Sequence, residues 1–390
     1  MAKVVYISEL DFHGSGYSHI TIGLCTGLVR HGHDVKVLAF TYKGEEHEFP
    51  FSVIPVDNPQ EIVASFHNLV YVWKPDVVIV ALDIPFQERF IQHFAQYNIP
   101  YIAITPLESD PLTMSWAMTL MQARKTFFIS EFGAEEARKV GIEADHLQIG
   151  VDTESWRMPS PEERKMIRKS LFGIESDDTF IILTVADNQE RKNLSAAMKM
   201  ISRFKKEITE DFRYVLVTRQ NLQIGWKLTD LATEYEIFDK TIIFDRMRQD
   251  GISFKELWSI YASADCLLLP SKGEGLGMPI LEAMSVGVPV VGTDAGAITE
   301  HIQRGGGWLI KPEYVHRDPY GNESRYYAGI DSGLDCLVCV HNDMDIEGTI
   351  QRAREYVESR TWDIPSDQLS DAINEVVSEQ TKQKEQPESV

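Results

Sequence analysis

GEGLGMPILEAMSVGVPVVGTDAGAITE, residues 273–300, joins a glycine-rich loop, a helix start and two spaced glutamates in one stretch. Three glycines at alternate positions allow the backbone to approach a ligand closely or to adopt a positive φ. Pro279 suits the first turn of a helix, because an N–H group there has no intrahelical partner to lose. The sequence therefore predicts a helix that begins near Met278.

The two glutamates of this stretch lie in different parts of the predicted loop and helix. Glu274 falls in the loop, and Glu282 follows after seven residues, about one turn into the helix. The free N–H groups and the positive end of the helix dipole favour an anionic group beside the loop. We expect the two carboxylates to contact different parts of one elongated ligand.

This segment resembles the donor-site motif of retaining glycosyltransferases of family 4, which have the GT-B fold. The resemblance continues through residues 287–300 and covers nearly all of residues 1–375. It implies that Glu274 binds the hydroxyls of the donor sugar and that Glu282 binds the ribose hydroxyls. It also implies that the backbone binds the sugar and diphosphate at Gly275, Leu276, Gly277 and Met278. The alternative is a tight turn with solvated glutamates.

The segment 185–193, VADNQERKN, lies where the family keeps an arginine and a lysine that bind the donor phosphates. Lys192 matches the lysine, whereas Asp187 stands where the arginine is usual. We therefore expect Arg191 to supply the missing charge and Asp187 to orient Arg191 or Lys192 through an ion pair. The predicted catalytic residues are Glu274, Lys192 and Arg191. The alternative is that both cations begin an exposed helix.

Two stretches of the first half add further candidates. Gly14 and Gly16 follow the first predicted strand, and the resemblance implies that they approach the donor diphosphate. His19, near the start of the next helix, either faces the phosphates or packs and caps. Residues 105–111 lack the histidine that family members often carry, so Glu108 or Asp110 either holds the acceptor and stabilises charge or caps the following helix.

Short apolar runs alternate with helical patterns along the whole chain, which is typical of parallel, doubly wound sheets. The predicted fold class is α/β, a GT-B fold of two Rossmann-like doubly wound domains that face a central cleft. We expect an N-terminal acceptor domain over 1–160 and a C-terminal donor domain over 161–365. A helix over 366–378 then returns to the first domain, and a disordered tail covers 379–390.

The composition favours a large globular enzyme and disfavours several partners. The 59 acidic and 38 basic residues give a formal net charge of −21, which opposes nonspecific binding to nucleic acid or anionic lipid. No apolar run approaches the length of a bilayer span and no signal peptide is visible, so we expect a cytoplasmic protein. Cys336, Cys339 and His341 either supply zinc ligands or pack in a core, and packing is favoured because no second cysteine pair completes a tetrahedron.

The resemblance implies a retaining hexosyltransferase that moves a sugar from a UDP- or GDP-linked donor to an unidentified acceptor hydroxyl. The resemblance implies that no cofactor and no metal are required. Two alternatives stay open. One is a sugar-nucleotide epimerase. The other is a catalytically degenerate subunit that binds a nucleotide sugar, and Asp187 and the absent histidine favour this second alternative.

Overall fold

The computed structural model describes residues 1–11, 16–176, 178–220, 224–245, 252–319, 321–342 and 344–385. Its strands are β1 Lys3–Glu9, β2 Asp34–Phe40, β3 Ser52–Val56, β4 Val77–Ala81, β5 Tyr101–Thr105, β6 Lys125–Phe128, β7 Asp145–His146, β8 Phe180–Val185, β9 Phe212–Thr218, β10 Thr241–Asp245, β11 Cys266–Leu269, β12 Val290–Thr293, β13 Trp308–Ile310, β14 Pro312–Arg317 and β15 Ser324–Ala328.

The α-helices lie between most of the strands along the chain. They are α1 Gly16–Arg30, α2 Pro59–Val72, α3 Ile84–Gln87, α4 Ile91–Gln96, α5 Met114–Leu120, α6 Glu131–Lys139, α7 Pro161–Phe172, α8 Leu194–Glu207, α9 Leu228–Glu234, α10 Phe254–Ser263, α11 Met278–Val286, α12 Gly296–Gly305, α13 Ile330–His341, α14 Ile346–Glu358 and α15 Asp363–Glu385. Two short 3₁₀ helices cover Glu190–Lys192 and Phe238–Lys240.

The chain forms two compact units, residues 1–150 with 360–390 and residues 151–359. The sequence places the second domain at 161–365 instead. The ten residues before 161 group with the second unit because Trp156 packs edge-on against Tyr261 and Phe254, with ring centroids 5.4 and 4.9 Å apart. Each unit is a Rossmann-like α/β domain, as the sequence predicts.

The first unit is built on a seven-stranded parallel sheet in the order β3-β2-β1-β4-β5-β6-β7. Its central strands are continuous apolar runs, and all five residues of β4 are buried, as expected for strands that are covered on both faces. Helix α15 and the residue before it pack on α1: a Cβ on Gly23 would lie 2.4 Å from the ring of Trp362, and a Cβ on Gly27 would lie 1.8 Å from Ser366 Oγ. Only glycine allows this close approach, so α15 is an integral part of the first unit.

Helix α15 is longer than the sequence suggests. We predict a helix over 366–378 and a tail without structure over 379–390, whereas the helix continues to Glu385. Residues 379–385 are rich in glutamate, glutamine and lysine, which are strong helix formers, and the first proline stands at 387. Residues 386–390 lie outside the described chain.

The second unit contains a six-stranded parallel sheet in the order β10-β9-β8-β11-β12-β13 and a separate antiparallel hairpin, β14-β15. Strands β8 and β11 are direct neighbours, with Cys266 opposite Ile182 and Leu267 opposite Leu183. Because parallel neighbours end at the same edge of a sheet, the loops that follow β8 and β11 meet there. In the described residues, no helix has the length and apolar character that a membrane crossing requires.

Candidate functional site

The glycine-rich loop after β11 leads directly into α11. Gly277 caps this helix in the left-handed conformation, with φ 84° and ψ 50°, and Pro279 lies in the first turn. The predicted helix start near Met278 is confirmed. The whole loop from Ser271 to Gly277 is buried, so this helix N-terminus is shielded from bulk water, where its partial positive charge acts most strongly on an anion.

Glu274 lies in this loop between two cations. Its carboxylate accepts hydrogen bonds from Lys192 Nζ at 2.6 and 2.7 Å and from Arg191 Nη1 at 3.2 Å. Lys192 and Arg191 belong to the short 3₁₀ helix that follows β8. The three residues that the sequence marks as catalytic are therefore brought together, although 82 residues of chain separate Lys192 from Glu274.

The charge state of Glu274 follows from these neighbours. The side chain is 7% exposed, and burial by itself would raise its pKa. The charges of Lys192 and Arg191, together with hydrogen bonds from Lys192 and Ser271, outweigh burial and lower the pKa of Glu274 to about 2. Glu274 is therefore ionised near neutral pH and can only accept hydrogen bonds.

Glu282, the second glutamate of the motif, has a different environment. It lies on α11, is 6% exposed and accepts a 2.6 Å hydrogen bond from the Tyr261 hydroxyl. Tyr261 is fully buried on α10 and its ring is held edge-on by Trp156. Tyr261 thus fixes the carboxylate of Glu282, and the sequence does not indicate this contact because 21 residues separate the two positions.

Lys272 connects the glycine-rich loop with the β14-β15 hairpin. Its ammonium group lies 4.0 Å from the ring centroid of Tyr327 and pairs with Glu190. Its backbone N–H donates to Arg191 O at 2.8 Å, and its carbonyl accepts from Tyr326 N–H at 3.0 Å. These contacts couple the Glu190–Lys192 segment, the loop and the hairpin into one structure, which fixes the backbone that carries Glu274 and Lys192.

The sequence predicts an ion pair between Asp187 and either Arg191 or Lys192, and this prediction is wrong. Asp187 instead accepts from Arg219, Nε at 2.5 Å to Oδ1 and Nη2 to Oδ2, in a two-point contact. Arg219 directly follows β9, and Asp187 follows β8 closely on the neighbouring strand. The ion pair of this carboxylate therefore joins two neighbouring strand ends, and Gln189 Nε2 of its own segment also donates to Oδ2 at 3.0 Å. Sequence analysis missed Arg219, and its place just after a predicted strand is the signal that marks it.

In the first unit, one candidate, Glu108, belongs to a polar group near the carboxyl end of β4. Tyr17 donates a 2.7 Å hydrogen bond to Asp83, just after β4. Burial, and next the negative charge of Asp83, raises the pKa of Tyr17 well above its usual value, and Glu9 and Glu108 contribute in the same direction. Glu108 is thus one member of an acidic group around Tyr17. Tyr17 and Asp83 were not singled out from the sequence.

The remaining candidates of the first unit are placed as follows. Gly16 is the first residue of α1, and His19 lies partly buried on the same helix. Gly14 lies outside the described residues. Helix α5 has Thr113 as its N-cap, so neither Glu108 nor Asp110 occupies that cap position.

The CxxC pair lies on α13 and takes part in packing. Cys336 is buried and its thiol donates to Leu309 O at 3.5 Å. The ring of His341 packs edge-on between Phe180 and Phe204, at centroid distances of 5.1 and 5.5 Å. These contacts agree with the packing alternative for this segment.

Known proteins are similar to this chain, and the family model matches a region within the second unit. Residues 167–317 match the family model of glycosyl transferases group 1. An uncharacterised glycosyltransferase of Methanocaldococcus jannaschii is 24% identical over 319 residues, covering 72% of this chain and 77% of the relative. The serotype-specific mannosyltransferase WbdA of Escherichia coli is 23% identical over 274 residues, covering 70% of this chain and 30% of WbdA.

A third relative is the MMP alpha-(1->4)-mannosyltransferase of Mycolicibacterium hassiacum, 30% identical over 154 residues, or 40% of this chain and 32% of the relative. The aligned regions thus span only about a third of the length of these two mannosyltransferases. These matches show that the chain is similar to glycosyltransferases.

Solved structures show the same fold. Sucrose-phosphate synthase from Thermosynechococcus elongatus has a TM-score of 0.76 at 15% identity, covering 97% of this chain and 100% of that one. The lipopolysaccharide glycosyltransferase WaaG has a TM-score of 0.69 at 17% identity, covering 95% of this chain and 99% of that one. The two parallel-sheet Rossmann-like domains therefore have the GT-B architecture that the sequence predicts.

Proposed function

We propose that this protein is a retaining glycosyltransferase of family 4 that moves a hexosyl group from a nucleoside-diphosphate sugar to an acceptor hydroxyl. The observation that carries the proposal is Glu274, a buried carboxylate between Lys192 and Arg191 in the glycine-rich loop that opens α11. Cations, a helix N-terminus and an ionised carboxylate stand together at the carboxyl ends of parallel strands, where α/β proteins bind nucleotides.

Each group of this set suits one part of the donor. Ionised Glu274 accepts hydrogen bonds from sugar hydroxyls, because a carboxylate without a proton cannot donate. The ammonium of Lys192 and the guanidinium of Arg191 bind diphosphate oxygens, as charge-assisted donors do. Glu282, oriented by Tyr261, accepts from the ribose hydroxyls. Donor binding therefore exchanges partners, since the cations that pair with Glu274 turn to the diphosphate while Glu274 turns to the sugar.

The reaction then needs little covalent chemistry from the protein. On one face of the sugar the bond from the anomeric carbon to the leaving phosphate breaks and the bond to the acceptor oxygen forms. The acceptor proton passes to the leaving phosphate. Negative charge grows on that phosphate, and Lys192, Arg191 and the N–H groups at the start of α11 stabilise it. Because these groups supply the positive charge, the mechanism requires no divalent metal.

The test is a panel of UDP- and GDP-linked sugars measured in excess EDTA. Mannosyl donors come first, because WbdA and the Mycolicibacterium relative are named mannosyltransferases. The true donor should raise the apparent melting temperature by mass action, and NMR of the product should show the same anomeric configuration as the donor. An inverted product contradicts the retaining mechanism. Activity that disappears in EDTA and returns with magnesium contradicts the metal-independent one.

Glu274→Gln is the variant for this panel, because it keeps the shape of the side chain and removes its charge. Glu207→Gln is its matched control, since Glu207 pairs with Arg203 on an exposed face of α8. The proposed site is supported if the donor no longer raises the melting temperature of Glu274→Gln but still raises that of Glu207→Gln.

A second candidate function is a nucleotide-sugar-binding subunit without transferase activity. The observation that favours it is Asp187, a carboxylate at the expected position of a phosphate-binding arginine, whose partner Arg219 is already engaged. Donor stabilisation without transfer to any acceptor and without donor hydrolysis supports this alternative.

A further inference from the structure

His301 connects helix α12 with the glycine-rich loop of the proposed donor site. The imidazole is fully buried. Its Nε2 lies 2.8 Å from Leu276 O, and its Nδ1 lies 2.8 Å from the Tyr356 hydroxyl on α14. One ring therefore joins α14, α12 and the loop that carries Glu274.

The chemistry of the partners fixes the proton on this ring. A carbonyl oxygen only accepts, so Nε2 carries a proton and donates it to Leu276 O. In the neutral ring Nδ1 is then the acceptor, and the Tyr356 hydroxyl donates to it. A hydroxyl donor on one nitrogen thus selects the tautomer that holds the loop carbonyl with the other.

The held carbonyl determines where the next N–H group points. Leu276 C=O and Gly277 N–H belong to one peptide unit, which is trans, because the single cis bond among the described residues is Asp110–Pro111. In a planar trans peptide the C=O and N–H bonds point in opposite directions. Leu276 C=O points to His301, so Gly277 N–H points away from His301.

Gly277 N–H is free to bind a ligand. It makes no hydrogen bond with the residues that the structure describes. Gly277 is close to Glu274, since a Cβ on Gly277 would lie 3.9 Å from Glu274 Cβ. A glycine with φ 84° also tolerates either orientation of the preceding peptide better than any other residue does. The glycine itself therefore does not fix the orientation of the Leu276–Gly277 peptide, whereas the hydrogen bond from His301 to Leu276 O does.

We propose that His301 is a positioning residue that turns the Leu276–Gly277 peptide so that Gly277 N–H donates to a diphosphate oxygen of the donor. This role rests on the proposed function. Without the imidazole, the carbonyl of Leu276 has lost a buried partner, and a flipped peptide would present an oxygen to the diphosphate in place of a donor. His301 touches no reacting atom and acts only through Gly277 N–H, so its removal should weaken donor binding and, because negative charge grows on the contacted phosphate, also slow the chemical step.

The experiment compares His301→Leu with His301→Gln in the full-length protein. Leucine removes the donor at similar volume, whereas the glutamine amide can replace Nε2–H as donor. We expect His301→Leu to raise the Kd for the donor roughly tenfold to a hundredfold, as loss of a charge-assisted hydrogen bond does, and to lower kcat as well, with the acceptor KM changed far less. His301→Gln should recover most of this loss.

His33→Leu is the matched control for removing a buried histidine. His33 accepts from Ala2 N–H at 3.3 Å and contacts Ser370 Oγ at 2.9 Å in the first unit. It should lower stability without changing the donor Kd. A folded His301→Leu protein that binds donor as tightly as the wild type overturns the proposal, and so does a His301→Gln protein that is as impaired as His301→Leu.

A second measurement does not depend on the leucine variant folding. Nitrogen-15 NMR of histidine-labelled protein should show a neutral ring with the proton on Nε2, assigned to His301 by its loss in His301→Gln. A proton on Nδ1 instead overturns the proposal. Wild-type protein that binds no nucleotide sugar overturns the proposed function together with this role. Wild-type binding with an unaffected His301→Leu overturns the role of His301 alone.

Discussion

The two motif glutamates differ in their partners, and this difference predicts that their removal changes the binding of the nucleoside diphosphate differently. Glu274→Ala removes the carboxylate that Lys192 and Arg191 contact and also the acceptor proposed for the sugar hydroxyls. Glu282→Ala removes the partner of the Tyr261 hydroxyl and the acceptor proposed for the ribose hydroxyls. We expect each variant to fold correctly and to lose about 2–4 kcal/mol of transition-state stabilisation, measured as the fall in kcat/KM. The nucleoside diphosphate alone should bind weakly to Glu282→Ala and well to Glu274→Ala, which calorimetry can measure.

The depressed pKa of Glu274 predicts how stability depends on pH. The folded state favours the ionised form, so the contribution of this group is complete above its ordinary pKa of 4.5 and is lost as pH falls towards about 2. Below pH 4.5 the unfolding free energy of the wild type should therefore fall more steeply with acid than that of Glu274→Gln. Denaturant unfolding at pH 7, 4.5 and 3.5 measures both. Parallel curves would show that Glu274 is not held ionised.

The pair between Asp187 and Arg219 predicts a specific coupling. Asp187→Asn and Arg219→Gln should be non-additive by more than about 0.5 kcal/mol in unfolding free energy, because each variant removes the same contact. The cycle of Asp187→Asn with Arg191→Gln is the control, since Arg191 pairs with Glu274 instead, and it should be closer to additive. Equal coupling in both cycles would contradict the pairing.

At the scale of the element, Gly277 links the glycine-rich loop to the start of α11. Gly277→Ala places a side chain at φ 84°, with its Cβ 3.2 Å from Ile280 Cδ1. We expect a loss of about 1–2 kcal/mol in stability and weaker donor binding. Gly173→Ala separates the two effects, because Gly173 caps α7 at φ 67° with nothing within 4 Å of its Cβ. It should lose similar stability and keep donor affinity unchanged.

The element scale also shows how far the sequence could lead. The loop, the helix start at Met278 and the buried strands follow from local chemistry, such as Pro279 in the first turn and the apolar run of β4. The pairing of Lys192 with Glu274 could be anticipated because the motif and the strand ends mark both. Asp187 with Arg219 could not, because it depends on which strands become neighbours, and the role of His301 depends on two elements meeting a third.

At the scale of the whole molecule, the second unit is one continuous segment and contains Glu274, Glu282, Lys192 and Arg191. A fragment of residues 151–359 should therefore unfold in one cooperative transition and still bind the nucleoside diphosphate. Circular dichroism and calorimetry measure these properties. Residues 1–150 alone lack α15, the helix that packs on α1, and should not fold stably. A stable 1–150 fragment would contradict the structural role given to α15.

The division of the first unit between both ends of the chain has a consequence for synthesis on the ribosome. Residues 1–150 emerge first, but the surface of α1 that receives Trp362 and Ser366 stays uncovered until residues 360–385 have been translated. The second unit comprises residues 151–359 and takes no residue from the segment 360–385. A chain that stops at residue 359 therefore contains the complete second unit attached to an incomplete first unit. Such a product exposes apolar surface that chaperones recognise and proteases remove.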